Sequence, residues 1–169
     1  KFNSNFLTDF NRSSKREYLE TNSLGAYSSS TLAGVNTRKY HGAFVVPQPQ
    51  IDHHSYVLLN ALHEVVCFDK KVYELGVHQH PLVLEPEGHQ YLSSFSLTKI
   101  PTFVFSIDGK NIQKEIQFVP NKNQLLIRYT LLDGDNIGIR VKPFSSFRRI
   151  HKLRTASYRK IEVNEVENG

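Results

Sequence analysis

Side chains able to do chemistry are spread unevenly along the 169 residues. They are densest in Thr21–Gly42, TNSLGAYSSSTLAGVNTRKYHG. Here Asn36, Thr37, Arg38, Tyr40 and His41 form a run of planar and fork-shaped hydrogen-bonding groups. Such groups suit sugar hydroxyls or a buried network between domains. Neither G-x-G-x-x-G nor a G-K-[ST] ending is present, so the glycines do not read as a phosphate cradle. A compact domain carries a polar stretch this long only where it has a task or lacks order, because its backbone groups need partners that a core does not provide. Tyr27, Leu32, Val35 and Tyr40 are interspersed as apolar anchors and argue for order. A packed loop without any ligand accounts for the same residues, and that reading stands beside the binding one.

The remaining candidates are weaker. A glycosidase needs two carboxyls about 5–10 Å apart across the scissile bond. Glu17/Glu20 and Glu85/Glu87 are the available pairs. Acids beside a proline in a loop are ordinarily solvated, so no catalytic residue is assigned. His78 and His80 share a face if extended, with His89 as a conceivable third metal ligand. They lack a cysteine partner and a clear acidic fourth ligand, so neither a metal nor a cofactor is assigned. His53 and His54 would point to opposite faces of a strand. Cys67, within Val65-Val66-Cys67-Phe68, reads as a small core residue. Triads are assembled by the fold, and serine is too abundant here for spacing to single one out.

The elements that must position these groups are strands. Thr102–Ile107 alternates, Asp108-Gly109 is a strong hairpin signal, and Ile112–Phe118 comes next with Lys114 intruding on its apolar face. Pro120–Asn123 is a turn by composition, Leu125–Leu132 a strand, Asp133–Asn136 another turn, and Ile137–Val141 a fourth strand. These four predict an antiparallel meander. Ala43–Val46, Tyr56–Leu59, and Val65–Phe68 with Val72–Leu75 about an Asp69–Lys71 tip add further strands. No window of 12 or more residues carries a 3.6-residue stripe, and the nearest case, Ser13–Leu19, is too short to stand alone. The expectation is an all-β fold, an antiparallel β-sandwich with few or no helices, in a single domain over residues 1–169.

Composition agrees: 39% hydrophobic and 22% charged residues are ordinary for a folded globular chain. No apolar run is long enough for a membrane-spanning helix, and no secretory signal opens the chain. One cysteine rules out an internal disulfide framework, and a cytoplasmic setting is expected. The absence of Met, even at residue 1, suggests a piece of something longer. The formal charge of +5 is carried by residues 140–160. They hold Arg140, Lys142, Arg148, Arg149, Lys152, Arg154, Arg159 and Lys160 without an acid. Too few aromatics lie among these bases for a nucleic-acid surface, so a solvated face or a contact between domains is expected.

Glu17–Leu59 closely resembles the opening of bacterial and archaeal-type glycogen debranching enzymes. The resemblance is carried by Glu17-Tyr18-Leu19, Thr21-Asn22, Leu24-Gly25-Ala26-Tyr27, the string Gly34-Val35-Asn36-Thr37-Arg38-Lys39-Tyr40-His41-Gly42, and Val57-Leu58-Leu59. It continues through Pro86-Glu87-Gly88, Phe95, Pro143-Phe144, Arg148 and His151. Tyr18 stands where that family often has Trp, and Arg149 where an acid is expected. The resemblance implies a β-supersandwich domain ahead of an (α/α)6 barrel whose carboxylates hydrolyse α-1,6-linked glucose branches. This chain has no segment that could be the barrel. It is therefore expected to be a non-catalytic N-terminal fragment of an amylo-α-1,6-glucosidase, bracing the barrel and lining its cleft.

The candidate substrate-binding or domain-interface residues are Asn22, Asn36, Thr37, Arg38, Tyr40, His41, Arg148 and His151. The expected partners are an α-glucan, met through the full-length enzyme, and the C-terminal catalytic part of the same chain, with no nucleic acid and no membrane. The alternative is a free-standing carbohydrate-binding β-sandwich. Zero Trp counts against it, because such modules usually stack sugars on exposed aromatics. Asn36–Gly42 is expected to run extended into a strand, with Arg38 and Tyr40 on one side and His41 on the other.

Overall fold

The structure, a computed structural model, describes residues 1–153. Two antiparallel sheets face each other. The first has the strand order β1 (Phe2–Asn3), β9 (Leu92–Leu97), β10 (Pro101–Ile107), β11 (Lys110–Phe118), β12 (Leu125–Asp133). The second runs β13 (Gly138–Arg149), β5 (Ser55–Phe68), β4 (Gly42–Pro47), β3 (Tyr27–Thr31), β2 (Glu17–Thr21), with β6 (Lys71–Glu74) also on β5. A separate ribbon pairs β7 (Val77–Gln79) with β8 (Leu84–Glu87). The only helices among the described residues are single turns: α1 (Ser4–Leu7), α2 (Phe10–Ser13) and a 3₁₀ turn at Gly88–Tyr91. Asn3 and Asp9 cap α1 and α2 by accepting from the Phe6 and Arg12 amides. Ser13–Leu19 is not a helix; it runs from the end of α2 into β2.

The core lies between the sheets. Phe103, Phe105 and Ile107 of β10, Ile112 and Ile116 of β11 and Phe95 of β9 meet Tyr18 of β2 and Val66 and Phe68 of β5. This is the period-two alternation read from the sequence, now given a partner. Asp108 and Gly109 both have positive φ (44° and 80°), as the tight β10–β11 hairpin requires. Asp69 and Lys70 do the same at the tip between β5 and β6 (48° and 61°). Lys114, the charge on an apolar face, reaches across the core: its Nζ lies 2.5 Å from Glu64 Oε1 on β5, and Tyr129 OH donates to the same oxygen at 2.6 Å. Burial and the Glu64 carboxylate push the Tyr129 hydroxyl pKa far up, so it stays protonated and donating.

Two expectations about strands are corrected. The fourth strand of the anticipated meander leaves that sheet. Asp133 accepts from the backbone and side-chain nitrogens of Asn111, ending β12 against β11, and the chain crosses to pair β13 with β5. Tyr56–Leu59 and Val65–Phe68 are also one continuous strand, the 14-residue β5. One edge of β5 is covered by β13 along nearly its whole length. The other edge is shared between β4 at one end and β6 at the other, so residues Asn60–His63 have no strand partner there.

Candidate functional site

The loop between β3 and β4 packs into that gap. After Gly34, with φ +87°, the Thr31 hydroxyl donates to Val35 O and accepts from Val35 N. Asn36 then plugs the gap in the sheet: its amide nitrogen donates to Asn60 O at 2.8 Å, and its oxygen accepts from Ser30 Oγ at 2.8 Å. The Thr37 and Arg38 amides both donate to His41 Nδ1, and His41 N closes the turn on Arg38 O. The segment is therefore a turn, not the extended run expected. Arg38 and His41 converge rather than diverge: Arg38 Nε lies 2.7 Å, and His41 Nε2 3.3 Å, from Glu17 Oε1. The turn yields to a strand at Gly42, where a Cβ would come within 2.8 Å of both Val45 and Val57. Burial lowers the His41 pKa against the opposing pull of Glu17, which keeps Nδ1 free to accept.

The far end of β13 joins this loop. Arg148 reaches His41 O at 3.5 Å and Lys152 O at 3.4 Å. Tyr40 meets His151 edge-on, with centroids 5.7 Å apart and its hydroxyl 3.4 Å from His151 Nδ1. Tyr27 donates to Tyr40 O. Of the eight candidates the structure brings seven together: Asn36, Thr37, Arg38, Tyr40, His41, Arg148 and His151. Asn22 is apart from them, at the other end of β2 from Glu17. There it ties the β2–β3 turn to Lys122 and Asn123 and accepts from the Leu24 and Ala26 amides. Arg149, where an acid was expected, finds one in Asp52, which Tyr56 also bonds.

A groove of about 1100 Å³ opens beside the loop. Its floor is Asn60 and Ala61 of β5. Its walls are the 34–39 loop, His78 and His80 on and after β7, and Phe144 to Ser146 with Arg148 on β13. Behind the floor, an interior cavity of about 70 Å³ reaches Tyr18, Glu64, Lys114 and His89. Sequence reasoning missed Phe144 as a groove residue and missed His63 altogether, since nothing in the spacing shows which strands flank β5.

The other candidates have structural places. Glu85 and Glu87 are exposed. Glu17 serves Arg38 and His41, while Glu20 accepts from Phe118 N, so they share no site. His78 bonds His63 rather than His80, and His89 is buried against Phe10. Among the described residues no group of three His, Cys, Asp or Glu is placed to hold a metal. Cys67 is half-buried on the outer face of β5, not in the core proper. Arg140 and Lys142 are exposed; Arg154, Arg159 and Lys160 lie outside the described residues. No described helix is long and apolar enough to cross a membrane.

Fold and groove together define an all-β sandwich domain with a polar, cation-rimmed groove where two strands part. The family model for the glycogen debranching enzyme N terminal matches residues 16–169, and the chain belongs to that family. No curated protein and no solved structure matches the chain.

Proposed function

We propose that this chain is a non-catalytic domain of an amylo-α-1,6-glucosidase, cytoplasmic, with its groove lining the α-glucan cleft and β13 bracing the catalytic part. The observation that carries this is the groove itself. It sets Arg38, whose side chain is 68% exposed, and Arg148 around Phe144, an exposed apolar ring. Forked donors beside a flat apolar surface match the rim and the face of a glucose ring. The bracing role draws on β13, where Ile139, Val141 and Phe147 are exposed beside Arg140 and Lys142. A surface of that kind fits an acidic, partly apolar partner. Surface ion pairs alone contribute only about 0–1 kcal/mol each, so the contact must also bury apolar area.

Titration with maltoheptaose, followed by chemical shifts of groove residues, tests the reading. Saturable shifts confined to the groove, reduced in Arg38→Ala at unchanged melting temperature, are expected. The chain alone releases no glucose from a branched limit dextrin. Glucose release abolished by mutating Glu85 or Glu87 would overturn the non-catalytic role.

A further inference from the structure

One wall of the groove holds a chain of titratable groups with no assigned task. His63 on β5 and His78 on β7 are joined nitrogen to nitrogen, His63 Nδ1 to His78 Nε2, at 2.8 Å. Their rings are parallel within 5°, with centroids 5.1 Å apart. Phe144 stands edge-on to both, at 80° and 83°. On its far side His63 Nε2 lies 3.5 Å from Glu74 Oε1 of β6. Gly76 makes room, since a Cβ there would fall 2.4 Å from His63 Nδ1. No backbone ladder joins β7 to β5, so this bond links the β7–β8 ribbon to the unpartnered stretch of β5.

Glu74 supplies an electrostatic reason for one placement of the protons. Only one of the two facing nitrogens can hold the hydrogen of their bond. The Glu74 carboxylate favours a proton on His63 Nε2, which makes His63 Nδ1 the acceptor and His78 Nε2–H the donor. In that arrangement His78 Nδ1 is unprotonated, and the ring bonds to His63 through Nε2. Because His78 lines the groove, its remaining lone pair is a fixed acceptor among donors that cannot accept, Arg38, Lys39 and Arg148.

We propose that His78 Nδ1 accepts a hydrogen bond from a hydroxyl of a polyol bound in the groove, with His63 and Glu74 as positioning residues that hold the imidazole in that tautomer. This rests on the groove being a glucan surface. A hydroxyl donates and accepts at once, and the groove offers both halves: forked cations as donors and His78 as acceptor. The groups facing the pair are Glu74 from β6, Lys142 opposite His63 on β13, His80 after β7, and Arg38, Lys39 and Arg148 across the groove. All but Glu74 disfavour a further positive charge, and burial with His63 and His80 lowers the His78 pKa. At neutral pH the acceptor is present. Protonating Nδ1 turns it into a donor, so affinity falls as pH drops below the ordinary histidine range and levels off once His78 is protonated.

Nitrogen-15 imidazole shifts of the free chain read the tautomer, and maltoheptaose titrations at pH 7.5 and 5.0 read binding. The expected results are an unprotonated His78 Nδ1, affinity weakened about five- to tenfold by His78→Leu at pH 7.5, and loss of the acid dependence. His78→Gln, which keeps an acceptor oxygen without titrating, is expected to bind better than wild type at pH 5.0. It also serves where His78→Leu fails to fold. His63→Phe should move the pH midpoint. A protonated Nδ1 in the free chain at pH 7.5 overturns the proposal whether or not sugar binds. Wild-type binding indifferent to both His78 variants overturns it while the glucan reading survives. No binding by wild type overturns both.

Discussion

His63 and Glu64 are neighbours on β5 and face opposite ways. Glu64 turns into the core, where Lys114 and Tyr129 close on one of its oxygens. His63 turns outward, where His78, Glu74 and Phe144 surround it at the groove. Both are nearly inaccessible, Glu64 at 4% and His63 at 6% exposed, yet they differ in what their partners can do. The inner cluster ties two sheets through an ion pair and a phenol that burial keeps protonated. The outer chain ties a two-stranded ribbon to a sheet through a pair of imidazoles, and burial lowers the pKa of one of them, His78. One strand thus stabilises with one face and can respond with the other.

The inner cluster can be broken hardest. Glu64→Leu strands the Lys114 ammonium in the core and is expected to cost about 3–5 kcal/mol in urea unfolding. The double variant Glu64→Leu/Lys114→Leu should recover most of that, because a well-packed apolar pair replaces a buried ion pair at little cost. If the double variant is no better than the single, Glu64 is held by something other than Lys114. The outer chain is reached by Gly76→Ala, whose methyl displaces His63. A loss of about 1–3 kcal/mol is expected, with His63–His78 coupling gone from the imidazole spectrum and the Glu64 cluster intact.

Acid sharpens the same contrast. Burial lowers the pKa of His41, His78 and His89, so the unfolded chain binds protons that the folded chain does not. Stability is therefore present in full above the unfolded value near 6.5 and declines as pH falls below it. The slope is at most about 1.4 kcal/mol per pH unit for each histidine, until the folded pKa is reached. Thermal melts between pH 7.5 and 5 read this, and His89→Phe should flatten the slope by one group. The smallest effect belongs to Arg38→Ala. Its pair with Glu17 is solvent-screened, so a stability change under about 1 kcal/mol is expected.

The inner face is far more legible in the sequence than the outer. Asp108-Gly109 announces its hairpin because a tight turn demands positive φ at both positions, and the alternation of Phe103, Phe105 and Ile107 comes from the pleat. These are local rules. The groove obeys none of them: Asn36 meets Asn60, Arg38 meets Glu17, and His41 meets Arg148 through pairings that depend on which strands flank β5. Ile137–Val141 alternates equally well for either sheet, so its pattern could not reveal that β13 crosses over. His41 reads as an outward side chain on an extended run, but an imidazole able to accept from two amides makes a turn there instead. Family resemblance singles out this loop; only the fold shows that Asn36 and His41 spend their bonds holding it.

Among the described residues β13 is hydrogen-bonded along one edge only. From Gly138 to Phe144, ahead of the irregularities at Ser145 and before Arg148, and with Pro143 interrupting it, its other edge presents a template on which a second copy could add a strand. Arg140 and Lys142 sit on that template, and two copies meeting edge to edge would bring these cations together. The repulsion acts as a gatekeeper in dilute buffer. It weakens as the screening length shrinks from about 10 Å at 0.1 M salt to about 3 Å at 1 M. Purified by itself, the chain is therefore expected to self-associate more as salt is added, which light scattering against salt concentration reads.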